Sequence, residues 1–187
     1  MKPYYLKEKL YVGVSGHRDL KKSKMDDYKE EVKSILMKLI RENPDREVIV
    51  VSPLADGADR LAVYAAKELE LRYEVLLPMP SYLYEKDFSL ESLQEYKALT
   101  MTAMDKPTVI PLCEGCTEEN ISKYGEYRDK QYLKTGEEIV DRSNMMLFLW
   151  DGKPSGGTGG TGDIVVYTEQ KDKSFFIVEC EREAKEE

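Results

Sequence analysis

Histidine, cysteine and long apolar runs are what this sequence has least of. Its 187 residues hold one histidine, His17, and three cysteines, Cys113, Cys116 and Cys180. A structural zinc site takes four Cys or His ligands. Cys113-Glu114-Gly115-Cys116 has the spacing of one ligand pair, but there is no second pair, so no metal is expected and the two thiols read as incidental loop residues. Nothing near His17 marks a nucleophile for it to activate, and it reads as a turn residue that can also face a ligand. No apolar run approaches the ~20 residues of a membrane helix. The start, Met1-Lys2-Pro3-Tyr4-Tyr5-Leu6-Lys7-Glu8-Lys9, lacks the apolar core of a signal peptide. These absences predict a cytoplasmic protein, away from membranes, whose odd set of thiols stays reduced.

Positive charge is also short: 28 Lys and Arg stand against 36 Asp and Glu, a net charge of -8. Nucleic-acid binding draws most of its affinity from basic side chains on phosphates, so general nucleic-acid binding is not expected. A small anionic ligand is compatible with the balance, because a few oriented N–H groups and one or two arginines make a local positive site inside an acidic protein.

What the chain does have is a regular alternation of β-branched apolar runs and helical patterns. Residues 10–15, 48–52, 73–77, 108–112, 145–150 and 174–178 read as strands. Ser23-Lys24-Met25-Asp26 has the form of a capping box, opening a helix with Met25, Tyr28, Val32, Ile35, Leu36, Leu39 and Ile40 on one face until Asn43-Pro44-Asp45 ends it. Helical patterns follow at 57–69, 90–104, 122–141 (weakened by Gly125 and Gly136) and 161–170, with 113–120 as loop. The strands are continuous apolar runs, which are buried on both faces. The length suits one domain. The fold expected is α/β, a Rossmann-like doubly wound, mostly parallel sheet of five to six strands with helices on both faces, covering residues 1–187 and ending in a charged tail, 179–187, that frays or extends a short terminal helix. In such sheets ligands sit beyond the carboxyl ends of the strands, near a switch in strand order.

The candidate ligand residues therefore lie in the loops that follow strands. After the first strand comes Ser15-Gly16-His17-Arg18-Asp19, where Gly16 allows a tight turn and Arg18 suits paired bonds to a phosphate. After the second comes Asp56-Gly57-Ala58-Asp59-Arg60, which either binds, an aspartate holding a ribose hydroxyl pair, or caps a helix with Asp56 and leaves Asp59–Arg60 as a surface pair. After the third, Tyr82, Tyr84 and Phe88 stack on a base or pack over the sheet edge, with Asp87 among them. Arg128, with Tyr124 and Tyr127, reaches in from the long helix or lies on a solvated face. The strongest signal follows the fifth strand. Asp151 precedes a loop in which Gly156, Gly157, Gly159, Gly160, Thr161, Gly162 and Asp163 run into a helix, placing bare backbone N–H groups at a helix N-terminus where a phosphate binds.

Three of these motifs together, Gly13-Val14-Ser15-Gly16-His17-Arg18, Ser52-Pro53-Leu54-Ala55-Asp56-Gly57-Ala58-Asp59-Arg60-Leu61-Ala62, and Leu149-Trp150-Asp151-Gly152 with Gly159-Gly160-Thr161-Gly162-Asp163, resemble those of the SLOG superfamily. This Rossmann-like group includes the DNA-processing protein A (Smf) family and the Lonely Guy (LOG) proteins. The resemblance spans about residues 10–170 and implies a nucleotide or nucleotide-derived ligand with its phosphate on the glycine loop. Some members look like sensors of nucleotide signals; LOG proteins hydrolyse the N-glycosidic bond of adenosine monophosphate derivatives. The LOG signature is Pro-Gly-Gly-x-Gly-Thr-x-x-Glu. Here Pro154 is followed by Ser155, and the position three after Thr161 is Ile164, with Asp163 one residue earlier.

Two readings follow. The first is a binding module for a nucleotide-type small molecule that signals through a partner or a homodimer. The second is an N-glycosidic hydrolase in which Asp163, Asp59 or Asp87 stabilises an oxocarbenium-like transition state. No cofactor is expected: NAD(P) chemistry of the Rossmann type places its glycine loop after the first strand, not the fifth.

Overall fold

A computed structural model describes residues 7–184. The chain runs β1 (Glu8–Gly16), α1 (Met25–Glu42), β2 (Arg46–Ser52), α2 (Ala58–Glu68), β3 (Arg72–Leu77), α3 (Ser81–Tyr84), α4 (Leu90–Met101), β4 (Thr108–Val109), α5 (Glu118–Ile121), α6 (Glu126–Arg142), β5 (Met145–Trp150), α7 (Thr161–Gln170), β6 (Phe175–Glu179). The six strands make one parallel sheet in the order β4-β3-β2-β1-β5-β6. Strand order reverses between β1 and β5, whose register sets Gly13 beside Met146 and Gly16 beside Leu149.

Side-chain alternation along each strand divides the core between two faces. Leu10, Val12 and Val14 of β1 and Val48 and Val50 of β2 pack with Val32 and Leu36 of α1, Ala62 and Ala65 of α2 and Tyr96 and Leu99 of α4. Val51, Leu76, Met146 and Phe148 point the other way, to Ile139 and Val140 of α6 and Ile164 and Val165 of α7. Burial on both faces is why the strands read as unbroken apolar runs.

Four local expectations are corrected. Ser23 caps nothing: residues Lys22–Lys24 form a 3₁₀ turn that runs straight into α1, whose N-cap is Lys24 without a side-chain bond. The side-chain caps that do form are Ser89 on α4 and a capping box of Thr117 and Asn120 on α5, inside the stretch read as loop. β4 is two residues long because Pro107 and Pro111 bracket it; beyond it the buried Gln131 side chain donates to the Pro111 carbonyl and accepts from the Cys113 amide, replacing the ladder. The tail is neither frayed nor helical through residue 183. Cys180 is buried, Arg182 forms an antiparallel bridge with Leu20, the Lys21 amide donates to the Glu181 carbonyl at 2.9 Å and the Glu183 amide to the Asp19 carbonyl at 2.8 Å. The start, residues 1–6, and the end of the tail, 185–187, lie outside the described residues.

Among the described residues no helix is long and apolar enough to cross a membrane. None brings three His, Cys, Asp or Glu together as metal ligands. The thiols of Cys113 and Cys116 donate to the carbonyls of Lys130 and Tyr127 on α6.

Candidate functional site

At the carboxyl ends of β1 and β5 the loops enclose a cavity of about 620 Å³, within the size range of small-molecule sites. Its position is the strand-order switch.

Two glycines fit the loop after β1 into place. A Cβ on Gly16 would lie 2.4 Å from the Ala58 Cβ and 2.7 Å from the Leu149 carbonyl oxygen; one on Gly57, whose φ is +75°, would lie 2.4 Å from the Arg18 carbonyl oxygen. The loop is thus wedged between β5 and the start of α2, with the His17 amide donating to the Leu149 carbonyl and the Ala58 amide to the His17 carbonyl. His17 Nε2 lies 2.9 Å from Asp151 Oδ1 and 3.3 Å from the Asp151 amide nitrogen, tying the β1 loop to the β5 loop. Burial alone would raise the pKa of Asp151, but the Lys153 amide and the His17 ring hold it below the usual carboxylate range. Arg18 is half-exposed, 5.2 Å over the Tyr132 ring and 3.3 Å from Asp87 Oδ2.

The glycine loop is held from within. Asp163 Oδ2 accepts from the Gly159 amide at 2.9 Å, and Ser155 Oγ accepts from the Asp163 amide at 2.9 Å. Gly160 and Gly162 are packed against Ser155, so a side chain on either would collide with it. Gly156 and Gly157 differ: a Cβ on either meets nothing within 4 Å, and both line the cavity. The amides of Thr161 and Gly162, the first two of α7, donate to no protein acceptor among the described residues. They form the positive end of the helix.

The floor is aromatic and acidic. Tyr84 and Tyr132 line the cavity beside Asp59, which is 5% exposed and accepts from the Ala55 amide through Oδ2 at 3.2 Å. Burial pushes the Asp59 pKa up to about 7, against the opposing pull of Arg18 and the Ala55 amide. Behind the floor, the buried Asp87 takes Arg128 Nη2 at 2.6 Å and the Tyr132 hydroxyl at 2.6 Å. Arg128 spends its other donors on the Ile121 and Leu83 carbonyls and the Tyr132 hydroxyl.

The structure thus brings Ser15, Gly16, His17, Arg18, Asp59, Gly159, Gly160, Thr161 and Gly162 around one cavity. Others in the candidate set lie off its walls. Arg60 is buried the other way, donating to the Leu54 carbonyl and to Ser92 and Glu95 of α4, with Asp56 in the same cluster. Gly57 serves the loop contact described above. Asp151 latches the loops, Asp163 closes the glycine loop, and Asp87 anchors Arg128 and Tyr132. The wall position three after Thr161 is the apolar Ile164. Of the loop aromatics, Tyr84 reaches the cavity, Phe88 packs against Tyr84 and Tyr96, and Tyr82 is exposed, as are Tyr124 and Tyr127.

Asp19, the end of the first candidate loop, also lines the wall, and sequence reasoning missed Tyr132, Thr135 and Arg182. Tyr132 carries a signal, one helical turn after Arg128. Arg182 carries none, since only the return of the chain after β6 brings it there.

No protein-family model matches the chain, and no curated protein matches it in sequence. Among solved structures it is similar to DNA processing protein A (DprA) from Streptococcus pneumoniae, at 11% identity and a TM-score of 0.56. The likeness covers 90% of this chain and 50% of that one, so the chain spans about half the length of this neighbour. The protein has a DprA-like, Rossmann-type α/β fold.

Proposed function

We propose that this protein is a binding module of the SLOG type that holds a nucleotide or nucleotide-derived small molecule in the β1–β5 cavity. Its phosphate lies on the α7 N-terminus, with Arg18 as the side-chain partner and Tyr84 and Tyr132 beside the apolar part of the ligand. The observation that carries this reading is the open side of the glycine loop: Gly156 and Gly157 leave room next to two helix-start amides that have no protein acceptor among the described residues. That is the geometry in which backbone donors approach a phosphate closely. The neighbour's name refers to DNA processing, but a net charge of -8 opposes general nucleic-acid binding by this chain.

The test is calorimetric titration with AMP, ADP, ADP-ribose, NAD, cyclic nucleotides and sugar phosphates. At least one nucleotide is expected to bind wild type. Gly157→Val, whose Cβ has no protein atom within 4 Å, is expected to abolish that binding with little change in melting temperature. Undiminished affinity in this variant, or a panel with no binder, overturns the reading.

One observation favours a second reading, N-glycosidic hydrolysis. Asp59, a buried carboxyl with a pKa near 7, lines the same cavity and suits a general acid. The apolar Ile164 at the position of the LOG glutamate ranks this reading below binding. Release of free base from a bound nucleoside monophosphate, lost in Asp59→Asn, would reverse the order.

A further inference from the structure

Arg182 stands at the cavity in a segment pinned on both sides. After β6 the Cys180 amide donates to the Trp150 carbonyl at 3.1 Å, and the Glu181 amide to the Tyr28 hydroxyl at 2.8 Å. The bridge to Leu20 then fixes residue 182 beside the β1 loop. Among the described residues its guanidinium is held by Asp19 alone of the side chains, Nε to Oδ1 at 2.8 Å and Nη2 to Oδ2 at 3.0 Å, and both residues line the cavity.

The neighbouring carboxylates are engaged elsewhere. Glu181 pairs with Lys21 and Lys24, Glu183 accepts from the Lys22 amide, and Asp151 is taken by His17 and the Lys153 amide. The Asp19–Arg182 pair is about half-exposed, so a phosphoryl group, which offers the guanidinium the same two-oxygen fork, can reach it and compete with the carboxylate. Arg18 enters from the side of Tyr132 and Asp87, whereas Arg182 enters from the side of Asp19 and Asp151. A ligand whose single phosphoryl group pairs with Arg18 on the glycine loop leaves Arg182 on Asp19.

We propose that Arg182 is a second anion-binding residue of the cavity, exchanging Asp19 for the ligand, and that the site selects nucleotides carrying two linked phosphoryl groups over monophosphates. The proposal rests on the reading of the cavity as a nucleotide site. Its test titrates AMP and ADP into the full chain as wild type, Arg182→Gln and Asp19→Asn. Wild type is expected to bind ADP more tightly than AMP. Arg182→Gln is expected to weaken ADP about tenfold and AMP less than about twofold, the loss of one charge-assisted fork. Asp19→Asn, which removes the competitor, is expected to tighten ADP about threefold.

Opposite signs for the two variants distinguish ligand exchange from a purely structural pair, for which both would weaken binding alike. Equal losses for AMP and ADP, no loss, or weaker ADP binding in Asp19→Asn overturns the proposal while leaving the nucleotide reading intact. Failure of every nucleotide on wild type removes both. If Arg182→Gln does not fold, the sign of the Asp19→Asn effect decides alone.

Discussion

Asp59 illustrates how a single side chain acquires its properties from where the chain places it. Burial raises its pKa from 3.8 to about 7, although Arg18 and the Ala55 amide pull the other way. A carboxyl whose folded pKa lies above its unfolded value contributes stability that is fully present below about pH 4 and is lost as pH rises through about 7. At pH 8 the native state therefore holds an ionised, buried Asp59. Asn keeps the acceptor for the Ala55 amide and has no charge to bury. Each pKa unit corresponds to about 1.4 kcal/mol, and about 1 kcal/mol moves the melting temperature of a chain this long by about 2–4 °C. Asp59→Asn should thus melt at least about 4 °C above wild type at pH 8, and the gap should close progressively between pH 7 and pH 4. A gap that is constant with pH would mean that Asp59 does not titrate in this range. The same buried carboxyl that costs stability at high pH is the group on which the hydrolase reading depends.

At the scale of elements, the cavity depends on how closely α6 and α7 approach. Gly136, in the middle of α6, faces Ile164 of α7: a Cβ there would lie 2.3 Å from the Ile164 Cδ1 and 2.8 Å from its Cγ1. Alanine in place of a mid-helix glycine ordinarily gains up to about 1 kcal/mol. Here the clash outweighs that gain, because Ile164 is buried and forms part of the cavity wall. Overpacking of this kind costs about 1–3 kcal/mol. Gly136→Val should lower unfolding free energy in urea by that amount and, by pushing Ile164 toward the ligand, weaken nucleotide binding. Adding Ile164→Ala should recover part of both. The glycine that weakens the sequence-level reading of this helix is thus what sets the α6–α7 spacing.

For the whole molecule, the order β4-β3-β2-β1-β5-β6 decides where a ligand sits. β1 and β5 lie side by side but send their chains in opposite directions, and the crevice between their loops cannot be filled by a crossover helix. The walls come from the loops after β1, β2, β3 and β5, from α2, α3, α6 and α7, and from the segment after β6. A nucleotide bound there and absent from the unfolded chain should stabilise the protein by about 2.7 kcal/mol at 100 times its dissociation constant. That is a rise of about 5–10 °C in melting temperature. A scan of wild type with and without saturating ADP measures it, and Gly157→Val should show no rise.

The chain's own pattern was enough for the parallel α/β class, the position of each main strand to within a few residues, and the glycine loop entering α7. Strands buried on two faces must be apolar throughout, and a helix-start loop that approaches a ligand needs glycine. It was also enough to gather Ser15, Gly16, His17, Arg18, Asp59 and the glycine loop as strand-end residues. Tertiary structure alone decided which carboxylates and cations face the cavity. Asp56 and Arg60 stand within three residues of Asp59, yet they turn to α4 while Asp59 turns inward. Arg182 lies more than 160 residues from Asp19 in sequence, and only the packing of β6 against β5 and the return of the chain over the β1 loop bring the two together. Local pattern determines which backbone forms. The direction in which a charged side chain points is set by the partners that the fold delivers from elsewhere.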